Sequence, residues 1–352
     1  MVEGKVNWVS AEEVKISASW FLWGAGYYLY YPFLSIYLVR FFPEDLLGYF
    51  FLLLTAVTIP LPLVGSMLAK LVGPKIVTVV GMILSGTGII LMYIANSFVI
   101  ALIYMLLYYC FFLSLPNYYY LMRGLGEGVL SRVWAISIIP SIALPAVGGI
   151  LASLIGVRVI FLIAGLLIAL SSLPIIFMKE VREVKKGKRI LVRSTTIPFL
   201  VVIPISLTFP YIYLLLKLVY GFSYYTIGIF STFAELLGFL VLITLSYFRK
   251  SISILSIVLL LFSSIVLVYV IPDFSIMFGL WEVLIPLSIE VIPPLTSIDD
   301  YALVTSIQQG GWFVGYIIDS AVQRPNYAII GASFVSICIG LTIIVVAKKW
   351  NI

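Results

Sequence analysis

The sequence predicts an all-α polytopic membrane protein, with about twelve transmembrane helices in two six-helix bundles and both termini cytoplasmic. Three observations predict it. Hydrophobic residues make up 63% of the 352 and charged residues only 10%, with a mean hydropathy of +1.19. No water-soluble domain hides that much apolar surface, so the bilayer must be the solvent. Next, a hydrocarbon core of ~30 Å needs ~20 apolar residues per helix, and the chain divides into twelve such runs joined by short loops. Finally, with a cytoplasmic amino terminus, 17 of the 21 Lys and Arg fall on the inner side, among them Lys70, Lys75, Arg123, Arg132, Arg249, Lys250, Lys348 and Lys349. Arg40, Arg158, Lys217 and Arg324 fall outside, a bias that fits the positive-inside rule. The net charge of +6 is thereby explained by orientation, and nucleic-acid binding is not expected.

The spans are expected at 16–39, 47–69, 75–95, 97–122, 132–155, 158–178, 197–219, 225–248, 252–271, 274–297, 301–323 and 327–347. The first follows a mixed-charge start and is too long for a signal-peptide core. It carries WFLWGAGYYLYYPF, 20–33, in which Trp20, Trp23, Tyr27 and Tyr31 recur at helical spacing. Tyr27 and Tyr28 lie near its middle, too deep for an interfacial belt. The fourth span has no charge; Tyr108 and Tyr109 sit at mid-depth, and Tyr118, Tyr119 and Tyr120 are expected as belt residues at the inner interface. After the sixth comes KEVREVKKGKRILVRSTT, 179–196, with seven basic and two acidic residues. It reads as a solvated cytoplasmic linker between an amino-terminal bundle, 1–178, and a carboxy-terminal bundle, 197–352. Lys217, toward the outer end of the seventh span, is expected to snorkel.

Embedded acids follow only in the second half: Glu235 in span eight, Glu282 and Glu290 in span ten, Asp319 in span eleven. A charge at the centre of a span costs ~2.5–3.5 kcal/mol on insertion scales, so function is the default expectation. Glu282 and Glu290 each precede a proline by four residues, Pro286 and Pro294. A proline frees the carbonyl four residues earlier, so each carboxyl gains a neighbouring backbone acceptor. Eight residues apart, the two glutamates differ by ~80° around a regular helix and could face one cavity at different depths. Glu290 can also snorkel inward, and Asp319, near the outer end of its span, can be solvated. Gln308, Gln309 and Trp312 share the mid-depth level with the central tyrosines. An aromatic wall facing carboxyls suits an amphipathic cation through cation–π attraction, or a sugar-like solute stacked on rings; the residues leave both open.

Histidine is absent, so proton chemistry falls to carboxyls with tyrosine as a helper. Cys110 and Cys338 lie in apolar runs, where neither a disulfide nor a metal site is expected. No cofactor is expected.

LPAVGGILASLIGVRVIFLIAG, 144–165, resembles the fifth-to-sixth helix region of the major facilitator superfamily, where Gly-Pro-x-x-Gly-Gly precedes Gly-Trp-Arg and Phe. Pro145, Gly148, Gly149, Gly156, Arg158 and Phe161 match; Leu144 and Val157 depart. GSMLAKLVGPKIV, 65–77, is similar to the family's signature loop through Gly73, Pro74 and Lys75, but Lys70 stands where the family has an Asp that latches the halves. GFSYYTIGIF, 221–230, resembles the seventh-to-eighth connection. The resemblance implies two lobes rocking about a central cavity lined by spans one, four, seven and ten, and a monomeric secondary transporter of a small organic solute. A proton is the favoured coupling ion, sodium the alternative. The fourth span lacks the arginine common in drug–proton antiporters of the family, which counts against that assignment. From another class, a membrane-embedded lipid-modifying transferase would use Asp299–Asp300 to hold magnesium. Short loops and the lack of an Asn-x-Ser/Thr acceptor point to a prokaryotic cytoplasmic membrane.

Overall fold

The computed structural model describes residues 10–126, 129–179, 195–246, 252–290 and 295–350. The basic linker's residues 180–194, together with Arg249, Lys250, Pro293 and Pro294, lie outside the described residues, so the expectations on them are not addressed. Regular structure among the described residues is helical throughout.

In chain order the helices are α1 (Ala11–Tyr30), α2 (Leu34–Leu38), α3 (Leu47–Thr58), α4 (Leu61–Val72), α5 (Pro74–Met92), α6 (Phe98–Tyr109), α7 (Phe111–Gly124), α8 (Val129–Ile155) and α9 (Val157–Leu170). There follow α10 (Ser172–Ile176), α11 (Thr196–Thr208), α12 (Ile212–Leu218), α13 (Tyr224–Ser246), α14 (Ile252–Phe262), α15 (Trp281–Glu290), α16 (Ile298–Val322) and α17 (Pro325–Trp350). Many expected spans are therefore broken rods rather than single helices. Pro32 tightens the first into a 3-10 turn at Tyr31–Phe33, since a ring at that position cannot donate its backbone hydrogen bond. The tenth enters as a 3-10 stretch, Pro272–Leu280, and becomes α-helical only at Trp281, with Pro286 inside α15.

Among the described residues, ten stretches are long and apolar enough to cross a membrane. The other two long helices, α1 and α16, fall outside that set. α1 opens with Glu12, Glu13 and Lys15, and α16 carries Asp299, Asp300 and Asp319.

Charge sorts to two faces. On the first, Lys15 bonds Glu12 and the Phe177 carbonyl (2.8 and 2.7 Å), Lys75 reaches the Met178 carbonyl (2.7 Å), and Arg132 grips Glu13 through two bonds of 2.6 and 3.0 Å. On the opposite face Arg40 donates to the Tyr224 hydroxyl (3.0 Å), and Lys217 donates to the Phe222 carbonyl (3.1 Å) over the Tyr224 ring, as a snorkelling lysine does.

Lipid offers helices no hydrophobic drive to associate, so close approach at small residues must supply the attraction. α8 and α13 meet this way: Gly149 lies against Tyr224 and Tyr225, and Gly228 against the Pro145 carbonyl. The Ala146 amide, next to Pro145, donates to Thr232 Oγ1 at 3.1 Å. Gly148 abuts the Leu29 carbonyl of α1. The family-like Pro145-x-x-Gly148-Gly149 element is thus a contact surface on both sides. Gly73, with φ of 93°, turns α4 into α5, and Pro74 opens α5. Arg158 begins α9 beside Tyr37.

A Cβ at Gly149 would stand 2.5 Å from the Tyr224 carbonyl oxygen and 3.1 Å from Tyr225 Cα. Gly149→Leu should therefore cost about 1–3 kcal/mol, seen as a lower melting temperature of the purified protein; an unchanged melting temperature would contradict the contact.

Candidate functional site

Two carboxyls meet at the centre of the molecule. Glu235 on α13 is fully buried and Glu282 at the start of α15 is 5% exposed. They are brought together by an absence of side chains. Gly279 lies against Ala234, and a Cβ at Gly238 would stand 3.2 Å from Glu282 Cβ. These small residues sit one turn from each glutamate, so the helices touch there and the two carboxyls interact with each other.

The donors come from the first segment and from neighbours. The Tyr28 hydroxyl donates to Glu282 Oε1, and the Tyr31 hydroxyl to Glu235 Oε1. Tyr31 also shares bonds with the Tyr213 hydroxyl (3.0 Å) and Ser231 Oγ (3.1 Å), and Trp281 Nε1 donates to Glu235 Oε1 at 3.3 Å. Glu235 Oε2 is buried without a hydrogen-bond partner among the described residues. Trp20, Trp23, Tyr27 and Tyr31 form a column of stacked rings along α1, with successive centroids 4.8, 5.4 and 5.1 Å apart, ending on the carboxyl pair.

A cavity of about 290 Å³ lies below the pair, toward the face that carries Arg132 and Asp299. Its walls are mainly apolar, with Tyr119, Trp134 and Tyr301 among the aromatic panels, and Val283, Pro286 and Glu290 also line it. Val283, which lines the cavity, follows Glu282 directly in sequence.

The expected residues divide accordingly. Glu235 and Glu282 are paired, whereas Glu282 and Glu290 do not share a cavity: only Glu290 lines it, and it is exposed. Tyr27 and Tyr28 flank the pair. Tyr108 packs edge-on against Tyr30 and Tyr109, so it supports the first segment from behind. Gln309 Oε1 accepts from Thr58 (3.2 Å), tying α16 to α3, while Gln308 Nε2 is buried without a partner among the described residues. Trp312 packs on Phe209 and Tyr316. Asp319 is not solvated but fully buried, because α3 and the Tyr211 ring cover it. Tyr118, Tyr119 and Tyr120 are likewise buried rather than a lipid-facing belt: Tyr118 bonds Ser19 at 2.5 Å, and Tyr119 lines the cavity.

Two further expectations change. Asp299 pairs with Lys70 (2.7 Å), and Asp300 caps α16 by accepting the Ser297 amide (3.0 Å) while Ser297 Oγ accepts the Asp300 amide (3.2 Å). Both aspartates are thereby committed, and the magnesium reading loses its ligands; no group of three or more metal-ligating side chains occurs among the described residues. Lys70, which stands where the resembled signature loop has an Asp, thereby ties α4 to the start of α16 by an ion pair. Cys110 and Cys338 are both free thiols.

Sequence reasoning missed Tyr31, Tyr213, Ser231 and Trp281 as partners of Glu235. The available signal was the small residues one turn from each glutamate, Gly238 and Gly279, which mark where two helices touch.

The sequence matches no family model and no curated protein. Solved structures do match. The nucleoside transporter NupG, in a single-substitution form, aligns over 94% of this chain and 99% of its own, at 14% identity and a TM-score of 0.71. The human organic anion transporter MFSD10 aligns over 95% and 99%, at 13% identity and 0.69. An auto-inhibited peptide transporter of the POT family aligns over 97% of both chains, at 10% identity and 0.71. All three are transporters. The chain has the multi-pass helical fold that these transporters share.

Proposed function

We propose that the protein is a proton-coupled secondary transporter that moves a small organic solute by alternating access. The observation that carries this reading is the buried Glu235–Glu282 pair ringed by Tyr28, Tyr31 and Trp281. Two carboxylates brought together out of water repel, and one shared proton removes that repulsion. The surrounding groups favour a proton over sodium. The indole N–H and the tyrosine hydroxyls present donors to the carboxyl oxygens, whereas a sodium site needs converging oxygen acceptors.

The alternation follows from the contacts. Twelve spans in two lobes, 1–178 and 197–352, are supported by α1 and α16 being long enough to cross, at 20 and 25 residues, and by polar groups that face protein instead of lipid. Helices of the two lobes meet along α8 with α13 and along α3 with α16. Toward the face opposite the cavity these seams are closed at Gly149, Gly228 and Gly48. Below the carboxyl pair α8 and α13 separate around the cavity, which gives a solute access from the Lys- and Arg-rich face. That face is the cytoplasmic one by the positive-inside rule. A proton on the pair neutralises it and lets the lobes rock past; its loss on the other side resets the cycle. Apolar and aromatic walls suit a solute with a flat or greasy portion, and the transporters of similar fold carry organic solutes.

In proteoliposomes an imposed proton gradient should drive accumulation of the cognate solute, and a protonophore should abolish it. Glu282→Gln should abolish gradient-driven accumulation while solute exchange persists at least in part; full accumulation in that variant would remove Glu282 from coupling. Tyr31→Phe deprives Glu235 of its hydroxyl donor and should destabilise the purified protein by about 1–3 kcal/mol, read as a lower melting temperature; an unshifted melting curve would show that the bond contributes nothing.

A further inference from the structure

Asp319 is an embedded acid that the coupling scheme does not use. It lies near the end of α16, where α16 crosses α3 on the face opposite the cavity. Its side chain is fully buried, and neither carboxyl oxygen has a hydrogen-bond partner among the described residues. The Tyr211 hydroxyl has no hydrogen-bond partner of ordinary geometry either, and stands close enough to the carboxyl to act as a weak donor to it. α3 is pressed against this spot. A Cβ at Gly48 would come within 2.8 Å of the Ser320 amide and 3.0 Å of Asp319 Oδ2. Beside it Phe51 stacks on Tyr316 with centroids 5.4 Å apart, and at the rim Gln323 Nε2 donates to the Tyr49 hydroxyl at 3.1 Å.

The groups around Asp319 are therefore Tyr211 beside it, Tyr316 on its own helix, Tyr49 at the rim on α3, and Glu44 within electrostatic reach of Tyr211. Arg324 follows α16 but packs over the Tyr327 ring at 6.0 Å. No cation is paired with Asp319 among the described residues. An ionised carboxylate there would be an uncompensated charge in a dry seam, which the seam tolerates only by parting to admit water. A neutral carboxylic acid fits the closed seam as it stands.

We propose that Asp319 is a second proton site, which keeps the α3–α16 seam closed while protonated and opens it on deprotonation. In that step the carboxylic O–H bond breaks, the proton bonds to a water oxygen at the face opposite the cavity, and the carboxylate left behind is hydrated as the helices separate. The site is separate from the Glu235–Glu282 pair, sits in a seam rather than at the cavity, and does not depend on what the pair couples.

The test uses the full chain in lipid nanodiscs with Cys110 and Cys338 replaced by Ala. Nitroxide labels at Tyr49→Cys and Gln323→Cys report the width of the seam by pulsed electron resonance between about pH 5 and about pH 9. The parent should gain a longer-distance population several-fold as pH rises; Asp319→Asn should stay at the short distance throughout. A parent distance that ignores pH overturns the proposal. So does an Asp319→Asn response equal to the parent's. Tyr211→Phe keeps the carboxyl and covers the case in which Asp319→Asn does not fold. It should move the midpoint of the distance change by about one pH unit, and an unmoved midpoint also overturns the assignment.

Discussion

The contact of α13 with the tenth segment at Ala234, Gly238 and Gly279 is the constraint on which the centre of this molecule depends. In a bilayer the apolar faces of helices gain nothing by leaving lipid for one another, so packing must be close to be favourable. Closeness here has a chemical consequence. With no side chain between the backbones, Glu235 and Glu282 are set near enough to interact, and both are removed from water. Burying polar groups without partners is costly, so the surrounding sequence must supply donors, and it does so from Tyr28, Tyr31 and Trp281. The aromatic column on α1 is thereby fixed in place at its inner end by hydrogen bonds and along its length by ring stacking.

The asymmetry of the seams follows from the same economy of side chains. At the closed face α8 meets α13 through Gly149, Gly228 and Pro145, while nearer the cavity the same two helices carry Leu130, Trp134, Phe239 and Leu242 and stand apart. Small residues zip one half of the seam, and bulky ones hold the other half open. The ion pair between Lys70 and Asp299 lies at the surface, with both side chains about half exposed. An ion pair so placed contributes about 0–1 kcal/mol. That is weak enough to break in each turn of the proposed transport cycle, and the Asp299 carboxylate also favours the amino-terminal end of α16.

How much of this could be read in advance varies by residue. Glu235, Glu282, Tyr27 and Tyr28 were legible because a polar or aromatic side chain deep in an apolar run has few reasons to be there. The loop at Gly73, Pro74 and Lys75 and the Pro145-x-x-Gly148-Gly149 element were legible from motif spacing. The pairing was not. Along the tenth segment Glu282 is nearest in sequence to Glu290, and helical geometry invites the two to share a cavity, yet the partner of Glu282 stands 47 positions earlier on another helix. Asp319 and the three tyrosines Tyr118, Tyr119 and Tyr120 were misjudged for a related reason. Depth along a span can be counted in residues, but whether a given face meets lipid, water or another helix depends on neighbours far away in the chain.

The sequence by itself determined the solvent of this protein, the order of its apolar runs and the confinement of embedded acids to the second half. Composition and hydropathy are local, additive properties, and they suffice for those conclusions. Only the tertiary structure decided which carboxyl meets which, which hydroxyl serves each, where the cavity lies and which seam is shut. Those depend on contacts between segments tens to hundreds of residues apart, made wherever glycine or alanine lets two helices touch.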